Sequence, residues 1–126
     1  MPMIVWIAVG GALGSVARYF VNVWAGRLLG PDFPYGTLTV NIVGSFVMGF
    51  LIAMMALKVQ VSQEVRAFLT TGILGGFTTF SAFSLDFATL VERRSFELAG
   101  VYLVASVGVS LLAIFAGLKA GRMLFS

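Results

Sequence analysis

The stretch that decides the fold is GGFTTFSAFS, residues 75–84, which lies inside a long apolar run at residues 67–85. It combines two glycines, four hydroxyl residues and three phenylalanines, and it carries no charge. Each glycine weakens a helix by about 1 kcal/mol relative to alanine, and an unwound turn exposes carbonyl oxygens, which in broken membrane helices coordinate cations. We therefore predict a third membrane helix that breaks mid-membrane, at Gly75–Gly76 and the two threonines that follow.

The composition around this stretch is that of an integral membrane protein. Of 126 residues, 60% are hydrophobic and only 10% are charged, and the mean hydropathy is +1.03. A soluble domain of this size needs more charge on its surface. The charges divide the chain into four apolar runs, each near the 20 residues that cross a bilayer: residues 1–29, 38–57, 67–85 and 98–118. We predict an all-α membrane protein, with residues 1–126 forming a single domain of four transmembrane helices.

The chain contains no cysteine and no histidine. Thiol chemistry, disulfides, histidine metal sites and histidine general-base catalysis are therefore excluded, and we expect no enzymatic activity. The net charge of +3 is small and scattered, so we expect no nucleic-acid partner. We expect membrane lipid to surround the helices.

The basic residues give almost no preference for one orientation in the membrane. Loop two and the C-terminal tail share one side and carry four of them, whereas loops one and three carry three: Lys58, Arg66, Lys119 and Arg122 against Arg27, Arg93 and Arg94. Without a positive-inside bias, the chain could insert both ways and pair as an antiparallel dimer, or one orientation could dominate regardless. Small residues four apart predict close helix packing: Gly10 with Gly14, Gly72 with Gly76, Ser45 with Gly49, and Gly117 with Gly121.

Uncharged hydrogen-bond donors recur at helical spacing within the apolar runs. One face of the second helix carries Thr37, Asn41 and Ser45, one face of the fourth carries Tyr102, Ser106 and Ser110, and a stripe of Phe77, Phe80, Phe83 and Phe87 runs along the third beside Thr78, Ser81 and Ser84. Each hydroxyl alone could simply bond to the carbonyl one turn back. Together, donors and the positive edges of phenylalanine rings suit a path for a small, strongly hydrogen-bonding anion.

Two charged residues lie near this path. Arg18, near the polar end of the first helix, either concentrates anions at a mouth or extends to lipid headgroups. Asp86 would repel an anion, so we place it outside the path, where it could pair with Arg18 or cap a neighbouring helix.

With PYGTLTVNIVGSFVMG (residues 34–49) and GGALGSVARY (residues 10–19), the opening stretch resembles the Fluc (CrcB) family of fluoride channels, over the whole chain. The resemblance implies a dual-topology antiparallel homodimer, multi-pass in the bacterial inner membrane, that exports cytoplasmic fluoride passively. It implies two pores along the subunit interface.

The resemblance also implies roles for individual residues. Phe80 and Phe83 would present ring edges to fluoride and Asn41 would donate its amide. The other pore positions would be Thr37, Thr79, Ser81, Tyr102, Ser106 and Ser110, with Arg18 at the anion vestibule. The backbone carbonyls of Gly75 and Thr78 would hold a structural Na⁺ shared by both subunits. Ala82 departs from the family's frequent threonine, and Asp86 departs from the expected glutamate.

Two alternatives from other classes remain. A proton-coupled exporter of the small multidrug-resistance type is also a four-helix, dual-topology dimer, but it needs a carboxylate in the first helix, where this chain has none. A non-transporting membrane assembly subunit would tolerate apolar replacement of Asn41 and aliphatic replacement of the phenylalanines.

Overall fold

A computed structural model describes residues 2–58 and 60–126, and all regular secondary structure in these ranges is helical. The helices are α1 (Met3–Leu29), α2 (Tyr35–Leu57), α3 (residues 63–77), α4 (Phe80–Glu92) and α5 (Phe96–Phe125). Because α3 and α4 follow one another within the segment Gln63–Glu92, the chain has four segments long and apolar enough to cross a membrane. The prediction of an all-helical protein with four spans is confirmed.

The helices pack in two pairs at their small residues. In the α1–α3 pair, a Cβ on Gly10 would lie 2.6 Å from the carbonyl oxygen of Phe68. In the α2–α5 pair, a Cβ on Gly117 would lie 2.9 Å from the backbone nitrogen of Phe50. Real Cβ atoms do not approach this closely, so only glycine allows these backbone contacts. The predicted close packing at the small-residue pairs is confirmed.

Two stretches of the spans are wound more widely than an α-helix. Residues Phe68–Leu74 in α3 and Ala105–Val109 in α5 adopt π-helical, i→i+5 bonding. In an α-helix, residues four apart are offset by about 40° around the axis. The wider turn in α5 reduces this offset, so Ser106 and Ser110 lie more directly above one another.

The helix ends follow local sequence signals. Ser62 caps α3, since its hydroxyl oxygen accepts a hydrogen bond from the backbone nitrogen of Val65 at 3.2 Å, a role that serine favours at helix starts. At the end of α4, Arg94 has the left-handed φ of 60°, and the nitrogen of Ser95 donates back to the carbonyl of Leu90 at 2.9 Å. This bond closes a Schellman turn, a position that usually favours glycine.

Between α3 and α4 the backbone is extended at two residues, Thr78 (φ −86°, ψ 159°) and Thr79 (φ −155°, ψ 124°). The departure from helical geometry therefore falls on the threonines, whereas Gly75 and Gly76 are still helical. Gly76 instead allows α3 to pack closely against α1, because a Cβ there would lie 2.5 Å from the carbonyl oxygen of Gly11 on α1.

Candidate functional site

The extended residues between α3 and α4 are held by Asn41, in the middle of α2. Its amide nitrogen donates to the carbonyl of Thr79 at 3.1 Å, and its amide oxygen accepts from the nitrogen of Thr79 at 2.8 Å. These two bonds satisfy both backbone groups of Thr79, as the backbone of a neighbouring β-strand would. One N–H of the Asn41 amide is not used in this pair.

The threonine at this junction also begins α4. The Thr79 hydroxyl accepts from the backbone nitrogen of Ala82 at 3.1 Å, as an N-cap does. As a result, the last carbonyls of α3 have no helical donors; that of Gly75 lacks one because the Thr79 nitrogen bonds to Asn41, and that of Thr78, which lies between the two helices, has none because the Ala82 nitrogen bonds to the Thr79 hydroxyl. The Thr78 hydroxyl, in turn, donates to the carbonyl of Leu74 at 2.9 Å.

A cavity of about 360 Å³ lies beside this junction, between α2, α4 and α5, and is called the inner cavity below. It brings together most of the predicted path residues, and every side chain that lines it is uncharged. Its lining is Asn41, Gly44, Ser45, Met48, Leu74, Thr78, Thr79, Phe80, Phe83, Ser106, Val107, Ser110, Leu111 and Ile114.

The two serines of α5 are the residues of the inner cavity that most clearly indicate a bound ligand. The hydroxyl oxygens of Ser106 and Ser110 are both buried, and neither makes a well-aligned hydrogen bond to another described residue; the Ser106 hydroxyl lies beside that of Tyr102, whose own proton is donated to Asp86. A buried hydroxyl without a partner costs free energy, about 1–3 kcal/mol by mutational measurements. These serines therefore do not follow the common structural role of bonding to a carbonyl one turn back, and a ligand in the cavity would satisfy them.

The predicted aromatic residues differ in their surroundings. Phe80 is 77% exposed and Phe83 is 8% exposed, with their ring centroids 5.5 Å apart. Both line the inner cavity. Phe77 belongs to α3, on the other side of the extended residues, so the stripe expected along a single helix is interrupted.

Tyr102 and Asp86 form a hydrogen-bonded pair, and neither is among the described residues that line the inner cavity. The Tyr102 side chain is fully buried, and its hydroxyl donates to a carboxylate oxygen of Asp86 at 3.1 Å. The Tyr102 ring packs on Phe83 with centroids 5.3 Å apart. The partner of Asp86 is therefore this tyrosine, whereas the sequence led us to expect Arg18 or a helix end.

A second cavity of about 360 Å³, called the outer cavity below, lies at the end of the molecule where loops one and three meet. Thr37, one turn before Asn41 on α2, lines it and is 6% exposed. Asp32, Asp86 and Arg93 are the charged side chains among its lining residues, all of which lie in the described part of the chain. The two cavities thus follow the predicted polar face of α2.

Four predicted site residues are not among the described lining residues of either cavity: Arg18, Gly75, Ser81 and Tyr102. Arg18 is half-buried in α1, and the described residues that line the two cavities do not include it. Ser81 is exposed, and its hydroxyl lies 3.3 Å from that of Thr79.

The sequence reasoning missed Gly44, Met48 and Arg93. Gly44 and Met48 lie on the same helical face as Asn41 and Ser45, so the spacing signal was present. A Cβ on Gly44 would collide with the Thr78 methyl group. Nothing in the sequence singled out Arg93, because the adjacent Arg94 has the same chemistry. The two differ only in the structure, where Arg93 caps the end of α4 and Arg94 lies in the turn that follows.

Comparison with known proteins shows the family to which the chain is related. Residues 5–118 match the profile of the family described as CrcB-like protein, Camphor Resistance (CrcB). The chain is 57% identical over 125 residues to the fluoride-specific ion channel FluC of Agrobacterium fabrum, covering 99% of this chain and 100% of that protein. It is also 57% identical over 118 residues to the fluoride-specific ion channel FluC of Rhizobium etli (strain ATCC 51251), covering 94% of each chain. The predicted resemblance is confirmed, and the chain belongs to the CrcB family.

Proposed function

We propose that this protein is a fluoride channel that lowers cytoplasmic fluoride by passive export across the bacterial inner membrane. The observation that carries the proposal is the pair of unpartnered hydroxyls, Ser106 and Ser110, in a cavity without charged side chains. Relatives that cover the whole chain are named fluoride-specific ion channels. No enzymatic activity is proposed.

The chemistry of the inner cavity suits fluoride because the donors are uncharged. Fluoride is a small anion that accepts strong hydrogen bonds, and its dehydration must be offset by donors that are already in place. The two serine hydroxyls and the remaining N–H of Asn41 provide such donors, and the edges of the Phe80 and Phe83 rings add weak positive potential. Without a fixed cation in the cavity, the ion is not trapped and can leave.

We further propose that the chain acts as a dual-topology antiparallel homodimer, with its pores at the subunit interface. Phe80 lines the inner cavity yet is 77% exposed, so the cavity opens to the surface of a single chain. A second copy would close it and exclude lipid. In this assembly Thr78 and Thr79, at the middle of the 30-residue segment Gln63–Glu92, form a break at mid-membrane.

A structural Na⁺ shared by two copies would fit the same break. The carbonyls of Gly75 and Thr78 lack helical donors, and carbonyl oxygens are ligands that Na⁺ accepts. Gly75 is exposed on a single chain, so its carbonyl is accessible to a partner. Bound Na⁺ would supply positive charge that holds the two breaks together.

Ion release from liposomes tests the proposed function. Purified protein should release fluoride in preference to chloride, without requiring a proton gradient. Phe80→Ile should slow the release of fluoride while the protein still elutes as a dimer. Equal chloride release, or no fluoride release from the parent protein, contradicts a fluoride channel. The exporter alternative predicts proton-coupled release of an organic cation, and the assembly subunit predicts release of neither ion.

Thermal unfolding in detergent tests the sodium site without measuring transport. Replacing K⁺ by Na⁺ at constant ionic strength should raise the melting temperature, because an ion that binds only the folded protein stabilises it. Thr78→Pro keeps the Thr78 carbonyl but removes the nitrogen's bond to Leu74, and should reduce this shift by misplacing the ligand. Identical melting temperatures in both salts would argue against the site.

A further inference from the structure

In the proposed channel, the outer cavity would be the entrance of the ion path, because Thr37 in its lining lies one turn before Asn41 on α2, and its carboxylates would oppose an entering anion. The sequence had placed Asp86 outside the path. Asp32 and Asp86 both line the outer cavity. The C-terminal end of α4 also points here, and the last carbonyls of a helix carry partial negative charge. An anion approaching this end of the molecule therefore needs a compensating cation.

Arg93 is the cation among the described residues that line this cavity. It is exposed, and its backbone nitrogen donates to the carbonyl of Thr89 at 3.0 Å at the end of α4. Ala82, Asp86, Thr89 and Arg93 recur every three or four residues, so one face of α4 borders the cavity and ends in the guanidinium. Arg94, the next residue, turns away into the left-handed turn and does not line the cavity.

We propose that Arg93 is the positioning residue that attracts fluoride into the outer cavity, by offsetting the carboxylates of Asp32 and Asp86. The inference rests on the proposed function. It assigns to Arg93 the electrostatic role that the sequence had suggested for Arg18. It also predicts the physical signature of that role: the effect of the charge declines as salt screens it.

The alternative explanation for Arg93 is structural, because a cation at the end of a helix stabilises it. Charge-specific labelling separates the two. The chain has no cysteine, so Arg93→Cys gives a unique thiol that can be modified with a cationic (trimethylammonium-ethyl) or an anionic (sulfonato-ethyl) methanethiosulfonate. Both derivatives come from one purified variant. Arg94→Cys, labelled in the same way, is the matched control.

At about 10 mM ionic strength, we expect the cationic Arg93→Cys derivative to release fluoride from liposomes at least about threefold faster than the anionic one. At about 1 M salt the two rates should converge. At about 10 mM ionic strength the two Arg94→Cys derivatives should differ less than the two Arg93→Cys derivatives, because the Debye length of about 30 Å reaches both positions but only Arg93 lines the cavity. In about 1 M salt they should release fluoride at equal rates.

Two results would overturn the inference while leaving the proposed function intact. They are equal rates for the two Arg93→Cys derivatives, or a difference that persists unchanged in high salt, when the unsubstituted protein releases fluoride normally. No fluoride release from the unsubstituted protein would overturn the proposed function and the inference with it.

Discussion

Asn41 shows how far a single residue can be interpreted from sequence. Its position in an apolar helix predicted a functional amide, because an unpaired amide at membrane depth is costly. The structure brings that amide onto Thr79, 38 residues away, where it bonds to both backbone groups. No local pattern encodes this contact, since it depends on how α2 packs against the junction of α3 and α4.

Asn41→Ala should lower the free energy of unfolding by about 3 kcal/mol, because the nitrogen and carbonyl of Thr79 both lose their partner. Thermal unfolding in detergent measures the loss. Asn22→Ala, which removes an exposed asparagine, should change stability by less than about 0.5 kcal/mol. Similar losses in both variants would show that the Asn41 bonds contribute little.

Ser110→Ala should slow fluoride release without lowering stability. The Ser110 hydroxyl has no partner among the described residues, so its removal breaks no bond and relieves the cost of burying it, about 1 kcal/mol. Liposome release and thermal unfolding of one preparation report the two effects separately. Ser15→Ala, at an exposed position of α1 that is not among the described lining residues of either cavity, should leave release unchanged. A large fall in melting temperature would instead assign Ser110 to packing.

At the scale of the helices, spacing was the reliable guide. Small residues four apart predicted where α1 meets α3 and where α2 meets α5, because this periodicity is fixed by the helix itself. The position of the extended backbone was less accessible. The sequence predicted a break at Gly75–Gly76 and the two threonines that follow, whereas only Thr78 and Thr79 are extended, held by the bonds from Asn41 and by the Thr79 cap.

Gly76→Ala should destabilise the protein by about 1–3 kcal/mol, because the new methyl group would meet the Gly11 carbonyl at 2.5 Å and force α1 away from α3. Gly11→Ala is the matched control, since a Cβ there has no atom within 4 Å among the described residues. It should leave stability unchanged or raise it by up to about 1 kcal/mol. Chemical or thermal unfolding distinguishes the two, and equal effects would contradict this packing.

Arg94→Gly should raise the free energy of unfolding by about 1 kcal/mol. Arg94 holds a left-handed φ of 60° at the end of α4, and glycine adopts this conformation without the steric cost of a Cβ atom. Arg93→Gly gains no such relief, because Arg93 has a φ of −77°, so it should be neutral or destabilising. If both variants shift the melting temperature in the same direction, strain at Arg94 is not significant.

At the scale of the whole molecule, the sequence predicted the number of spans but left the orientation open. Apolar length and scarce charge determine how many helices cross the membrane, and these are properties of the chain alone. Orientation depends on a small difference between basic residues on the two sides, here four against three. The cavities depend on contacts between helices that are far apart in the sequence. The sequence could therefore predict which helical faces line them, but not which residues of those faces meet.

A dual topology predicts partial labelling at both ends of the molecule. Gln60→Cys in loop two and Glu97→Cys in the first turn of α5, next to loop three, lie on opposite sides, and each gives a unique thiol. In sealed vesicles, a membrane-impermeant maleimide should label about half of each variant, since near-equal basic residues favour both orientations. Complete labelling of one variant and none of the other would indicate a single orientation.

The composition of the inner cavity has a consequence for how the protein responds to acid. Its described lining consists of amide, hydroxyl, thioether, aromatic and aliphatic groups, and none of these changes its protonation between mildly acidic and alkaline conditions. Its hydrogen bonding is therefore the same in acidic and neutral surroundings. Any sensitivity of fluoride release to pH should therefore arise outside the inner cavity, including in the protonation of fluoride itself.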